Sequence, residues 1–256
     1  MKIAVLIKQV PGSDSPLRMN PGGDWIDENV VAFEMNESDS YALEEAMQIT
    51  ERTGGGEVVA VCMGADRVQK IIREALAKGA DRGIHIKEDG KGEADPLVIA
   101  KLLSEALKDE NFDLVLSGLQ SDDLGMGQTG VLIGGMLGMP TATLVMATEI
   151  QDGNIRVKRE LEAGWFQWVT MHLPASLAIQ SGLNQPRYPS LKGIMGAKKK
   201  EIKVIEKSAL NGGESKQSLT NLHIPQAEKQ TEMISGEADA AVTRLVEVLK
   251  SEIRVL

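Results

Sequence analysis

Four short apolar runs, Ile3-Ala4-Val5-Leu6-Ile7, Val58-Val59-Ala60-Val61-Cys62, Gly83-Ile84-His85-Ile86 and Leu114-Val115-Leu116, alternate with stretches whose apolar residues recur at helical spacing. This alternation constrains the fold more than any other feature of the chain. Runs this short, rich in β-branched residues and stopped by polar or glycine punctuation, read as buried strands. Between them, Ala42-Leu43-Ala46-Ile49, Val68-Ile71-Ile72-Ala75-Leu76 and Leu97-Ala100-Leu103-Leu107 each place one apolar stripe on a helix. Strands that alternate with helices in this way pair in parallel, with helices covering both faces. The expected class is therefore α/β, a Rossmann-like open and mostly parallel sheet. Asn36, Ser38 or Asp39 is placed to cap the first helix, Asp66 the second and Asp95 the third, with Pro96 in its first turn.

After about residue 140 the pattern changes. Thr141 to Glu149 and Ile155 to Leu161 are extended stretches joined through Asp152-Gly153, a hairpin turn signal. Ser176-Leu177-Ala178-Ile179 reads as one more buried strand. Beyond Pro186 the chain turns lysine-rich and then polar, with Asn211-Gly212-Gly213-Glu214-Ser215 resembling a linker. It closes on an amphipathic helix, Ala238-Ala241-Val242-Leu245-Leu249, ending near Ile253. The expected organisation is an α/β nucleotide-binding domain over 1–184, a partner-recognition loop over 185–200 and a C-terminal arm over 201–256 that has too few apolar runs for a core of its own and so leans on the main domain or reaches across to another chain.

Charge narrows the classes of partner. Lys+Arg 28 against Asp+Glu 37 gives a formal net charge of -9, which argues against nucleic acid or an anionic membrane as the main partner. The single cysteine, Cys62, lies within an apolar run and reads as a core residue, and disulfides within the chain are excluded. The N-terminal apolar stretch is too short for a signal peptide, and no run approaches about 18 residues, so a cytoplasmic protein is expected. Aromatics make up only 3% of the chain, yet Trp165, Phe166 and Trp168 fall within four positions.

Asp113 through Gly130 reads as a strand, a long loop and the opening of a helix that runs through Val131 to Leu137. Ligands of open α/β sheets collect outside the carboxyl ends of strands, and a helix N-terminus offers unpaired N–H groups to an anion. Gln128-Thr129-Gly130 is therefore the expected phosphate site. Gly125 to Gly130 also spells G-x-G-x-x-G, with Glu149 about twenty residues on, so an NAD-dependent dehydrogenase stands as a competing reading. Against it, Gly118 to Leu124 intervene between the strand and the first glycine. There is no G-x-x-x-x-G-K-[ST], H-E-x-x-H, C-x-x-C or G-x-S-x-G, and His85, His172 and His223 are scattered. The chain is expected to be no enzyme in its own right, with no catalytic residues and no metal ligands.

Pro186 and Pro189 stiffen the segment Asn184 to Lys200 and set Leu191 beside the run Lys198-Lys199-Lys200. From composition alone this is either an ordinary basic surface loop or a displayed anchor. Pro-Arg-Tyr-x-x-Leu-x-x-Ile-Met-x-Ala-Lys-Lys-Lys resembles the recognition loop of the electron-transfer flavoprotein β subunit. The resemblance extends over nearly the whole chain, through Lys2 to Val10, Met35-Asn36-Glu37, Ala42 to Ala46, Ala77 to Gly83, Gln128-Thr129-Gly130 and Val157 to Glu162.

That resemblance implies a heterodimer with a larger α subunit that holds most of a redox FAD, while this chain buries a structural AMP and packs its C-terminal arm on that partner. Carried over by position, Leu6, Asn36, Met63, Gln120, Asp123, Gly127, Gln128 and Thr129 would line the AMP. Leu191, with Tyr188, Ile194 and Met195, would dock into an acyl-CoA or similar flavin dehydrogenase. The electrons would pass to a membrane quinone oxidoreductase or another acceptor. A bifurcating branch of the family carries a second FAD in place of AMP, with a loop like D-G-D-T-A-Q-V-G. Here the loop is Asp122-Asp123-Leu124-Gly125-Met126-Gly127-Gln128-Thr129-Gly130, which favours AMP. Where many relatives have a short Gly-x-Glu facing the flavin, this chain has Gly164-Trp165-Phe166-Gln167-Trp168, with neutral Gln167 in place of the carboxylate.

Overall fold

The computed structural model describes residues 1–88, 95–225 and 231–256. In chain order its elements are β1 (Lys2–Leu6), β2 (Gln9–Pro11), β3 (Phe33–Met35), α1 (Glu37–Arg52), β4 (Glu57–Gly64), α2 (Gln69–Lys78) and β5 (Arg82–Lys87). Then come α3 (Pro96–Leu107), β6 (Leu114–Gly118), α4 (Thr129–Met136), β7 (Thr141–Gln151), β8 (Asn154–Glu160), β9 (Phe166–His172), β10 (Ala175–Ile179), α5 (Leu191–Ala197), β11 (Ile202–Glu206) and α6 (Ala238–Glu247). The main sheet runs β11-β5-β4-β1-β6-β10-β7-β8-β9, and β2 pairs with β3 in a separate ribbon.

The strands from β11 to β7 pair in parallel, as the alternation of patterns predicts. Their alternate residues feed two cores. Ile3, Val5, Val58, Ala60 and Cys62 pack under Leu43 and Ile49 of α1 and Ile71, Ile72 and Leu76 of α2. Ala4, Val59, Val61, Ile84 and Val115 pack on the opposite face under Leu103 and Leu107 of α3 and Ile133 of α4. Helices therefore cover both faces of the parallel part. Cys62 is buried in the first core, and burial raises its thiol pKa, so it stays protonated.

β7 and β8 form the expected hairpin, with Asp152 at φ 48° and Gly153 at φ 76° as its two turn residues. Positive φ at both central positions is what a two-residue type I′ turn requires. β9 adds a third antiparallel strand and is the outer edge of the sheet. From β8 to β9, Arg156 lies over the Trp168 ring at 4.2 Å and Lys158 over the Phe166 ring at 3.8 Å. The aromatic cluster therefore belongs to a cross-strand ladder of cations and rings.

Four expectations are corrected. Asp95 does cap its helix, accepting from Leu97 N at 2.9 Å with Pro96 in the first turn, but Asp66 does not cap α2. Asp66 opens a 3-10 turn ahead of α2 and pairs with Lys87 at 3.0 Å. Leu191 is not on an extended loop: Ser190 accepts from Gly193 N at 3.0 Å and starts the short helix α5 directly after the prolines. Ile202–Glu206, inside the stretch expected to be an arm, is a strand of the main sheet, in register with β5 from Ile202 opposite Gly83 to Glu206 opposite Lys87. The linker-like Asn211 to Ser215 lies against α3, where a side chain on Gly212 would meet Leu102 at 2.8 Å and Lys216 N donates to Asp95 at 2.7 Å.

Two compact units result, Met1–Leu222 and His223–Leu256. The second contains α6, whose Val242 and Leu245 are exposed and whose Arg244 bonds Glu232 at 3.2 Å and Glu252 at 2.8 Å. No helix among the described residues is long and apolar enough to cross a membrane.

Candidate functional site

From β1 the chain moves outward through β4 to β5, then returns to place β6 on the other side of β1. The connections at the carboxyl ends of β1 and β6 consequently diverge, leaving a crevice at the position where open α/β sheets hold ligands. Lys8 follows the end of β1 on one side, and the segment 119–128 links β6 to α4 on the other.

The first turn of α1 fits between the two. Asp39, buried, accepts from the backbone N–H of Lys8 at 2.7 Å and from that of Gly118 at 2.9 Å, so one carboxylate ties the ends of both strands together. Burial pushes its pKa up to about 7, against the opposing pull of those N–H groups and of Asn36. Gly118 is obligatory, because a Cβ there would lie 2.2 Å from Ser38 Oγ and 2.4 Å from Asp39 Oδ1. Asn36 occupies the N-cap position of α1 but makes no side-chain cap bond. Its amide instead donates to Gln120 O at 2.9 Å and accepts from Asp122 N at 2.9 Å, while Ser38 Oγ donates to the same Gln120 carbonyl at 2.8 Å. The helix start is thus stapled to the loop after β6.

Lys8 crosses the crevice. Its Nζ lies 2.6 Å from Asp123 Oδ1 and 3.2 Å from Ser121 Oγ. Burial works to raise the Asp123 carboxyl, but the bonds from Lys8 and Ser121 outweigh it and hold the group below the usual carboxylate range. Gly125 and Gly127 then take φ of 61° and 62°, turning the chain back toward α4. At the start of that helix Gln128 makes no side-chain cap bond. Beneath it Ser117 Oγ is buried without a hydrogen-bond partner among the described residues, and a Cβ on Gly130 would meet it at 2.2 Å. An open helix start, two left-handed glycines and an orphaned hydroxyl suit an anionic group.

The residues expected to line a nucleotide all lie at this edge of the sheet. Leu6 closes β1 and is buried, Met63 sits near the end of neighbouring β4 against the second core, and Asn36, Gln120 and Asp123 join one hydrogen-bonded network. Gly127, Gln128 and Thr129 lead into α4. Lys8, Ser38, Asp39, Ser117 and Asp122 were not among the expected site residues. Their one local signal is position, since Lys8 and Ser117 sit at the ends of apolar runs. Glu149, which the dinucleotide fingerprint would assign to a ribose, lies opposite Arg156 in the hairpin and pairs with it at 3.0 Å.

A second constellation surrounds α5. Tyr188, Leu191, Ile194 and Met195 are 94%, 82%, 44% and 73% exposed, so the apolar display survives the change from loop to helix. The segment beneath them is clamped. Arg187 bonds Glu44 through Nε at 2.7 Å and Nη2 at 3.0 Å, and Glu51 through Nη1 at 2.7 Å. Burial would raise the Glu44 carboxyl, but bonds from Arg187 and Gln48 hold it below its usual range. At the other end, Arg73 of α2 donates to the carbonyls of Ala197 and Lys200, both at 2.6 Å, and Lys200 Nζ donates to Leu76 O at 3.1 Å and Ala80 O at 2.6 Å. Gly193 is needed between them, since a Cβ would meet Ala77 O at 2.2 Å.

Residues 25–210 match the family described as electron transfer flavoprotein domain. The chain is 33% identical over 259 residues to the electron transfer flavoprotein subunit beta of Methylophilus methylotrophus, covering 97% of this chain and 98% of that one. It is 35% identical over 250 residues to the subunit of the same name from Dictyostelium discoideum, covering 98% and 97%. The Bacillus subtilis subunit is 33% identical over 261 residues, with both chains covered in full, 100% and 100%.

Proposed function

The chain belongs to the electron transfer flavoprotein β-subunit family, and on that premise we propose that it is the smaller half of a heterodimeric electron carrier. Its partner is a larger α subunit that holds most of a FAD, and an adenosine monophosphate sits structurally in the crevice between β1 and β6. The flavin supplies the redox chemistry when bound. This chain binds, orients and presents; it brings no catalytic residue of its own. α5 offers Tyr188, Leu191, Ile194 and Met195 to a flavin dehydrogenase of the acyl-CoA dehydrogenase type, and the electrons leave to a quinone oxidoreductase or another acceptor.

One observation carries the nucleotide reading: the uncapped start of α4 stands over a buried Ser117 hydroxyl that has no hydrogen-bond partner among the described residues, at the switch point of the sheet. Gly127, Gln128 and Thr129 would hold the phosphate, with backbone N–H groups and the Thr129 hydroxyl as donors. Leu6 and Met63 would supply apolar walls, and Asn36, Gln120 and Asp123 the polar rim.

The test is denaturing release of bound nucleotide from the purified heterodimer, followed by chromatography and mass spectrometry. One AMP and one FAD per heterodimer are expected. Two FAD without AMP would assign the chain to the bifurcating branch. Thr129→Val should lower AMP retention while leaving the flavin potential unchanged.

A further inference from the structure

We propose that Lys8 is the specificity-determining cation of the crevice, selecting an adenosine 5′-phosphate over the nucleoside that lacks it; this rests on the nucleotide reading above. The backbone of Lys8 is held by Asp39 at 2.7 Å, so the root of its side chain is fixed at the end of β1. From there the side chain spans to Asp123 and Ser121 on the far wall, at 2.6 Å and 3.2 Å. It remains 40% exposed, so the ammonium keeps room for a further partner. The loop carrying those contacts folds back on itself, since a Cβ on Gly127 would lie 3.6 Å from Leu119 O and 3.9 Å from the Gln120 side chain. Lys8 therefore meets the same compact turn that delivers the chain into α4.

Charge supplies the rest of the argument. The turn carries Asp122 and Asp123, α1 brings Glu37 against it, and the whole chain bears a formal -9. A phosphate entering that surrounding is repelled unless a cation compensates, and one helix terminus is only a partial positive charge. Among the described residues, Lys8 is the cation hydrogen-bonded to this loop. Without a ligand it neutralises Asp123. With one, the ammonium has three donors and serves the carboxylate and the phosphate together.

An adenosine 5′-phosphate occurs as free AMP and as the adenylate half of FAD, so the experiment titrates AMP, FAD and adenosine separately. Calorimetry on the nucleotide-depleted heterodimer compares wild type, Lys8→Met and Lys8→Arg, with thermal melting as a check on folding. A charged hydrogen bond of the usual strength predicts a loss of about ten- to a hundred-and-fifty-fold for the phosphorylated ligand in Lys8→Met. Adenosine affinity should be unchanged, and Lys8→Arg should recover most of the loss. Preference for AMP or for FAD identifies the source of the phosphate. Equal weakening of AMP and adenosine would mean that Lys8 merely braces the loop through Asp123, and the proposal would fail, as it would if Lys8→Met bound AMP like wild type. A wild-type complex that binds none of the three ligands would overturn the nucleotide reading itself.

Discussion

Asp39 illustrates how a single side chain links stability to the site. A carboxyl near 4 when unfolded and near 7 when enclosed binds its proton more tightly in the native state. The stability contributed by this group is therefore complete below about pH 4 and is lost as pH rises through about 7, a difference on the order of 4 kcal/mol. Asp39→Asn has no such titration. The wild-type melting midpoint should consequently fall relative to that of Asp39→Asn between pH 5 and pH 8, and a difference that stays constant across the window would refute the assignment. Gln128 and Thr129 could be proposed as a phosphate site from the sequence alone because glycine, hydroxyl and helix start are neighbours along the chain. Lys8 and Asp39 could not, because their significance comes from a backbone bond between the end of a strand and the first turn of a helix that follows a long excursion. Asn36 likewise reads as a helix cap until its amide is seen to serve Gln120 and Asp122 instead.

The elements that sequence patterning anticipated are β1, β4, β5, β6, β10, the hairpin and helices α1 to α4 and α6. Those it missed owe their form to neighbours. β11, Ile202-Lys203-Val204-Ile205-Glu206, lacks a clean apolar alternation and pairs along the edge of β5. α5 follows two prolines that seemed to forbid a helix, yet Ser190 caps it once the prolines have passed. Its seat on α1 and α2 predicts two separable behaviours. Leu191→Ala should reduce dehydrogenase-coupled reduction by about five- to a hundred-and-fifty-fold in apparent affinity, the range for one apolar anchor. Its melting temperature should stay near wild type, because the side chain is exposed. Arg187→Gln leaves the anchor intact but loosens its base, and the added cost of ordering should raise the apparent KM for the dehydrogenase about two- to tenfold with kcat retained. Normal coupling with a lowered melting temperature in Leu191→Ala would show that the segment packs rather than docks.

At the scale of the whole molecule, the two cores lie entirely within Met1–Leu222. A chain ending at Leu222 should therefore unfold cooperatively within a few degrees of the full-length protein, whereas the proposed heterodimer should not form without the unit that carries α6. Co-purification of the shortened chain one-to-one with the α subunit would exclude an embracing role for that unit. The other end of the sheet has a consequence for the cell. β9 presents Phe166-Gln167-Trp168-Val169-Thr170-Met171-His172, without a proline, lysine or acidic residue, as the outermost strand. Sheets ordinarily guard such an edge with charge, proline or a bulge, since its open N–H and C=O groups template further strands. If the proposed α subunit covers this edge, synthesis of this chain in excess of its partner leaves monomers open to self-association. Balanced gene dosage is then a matter of colloidal stability, and expression of this chain alone should drive it into the insoluble fraction.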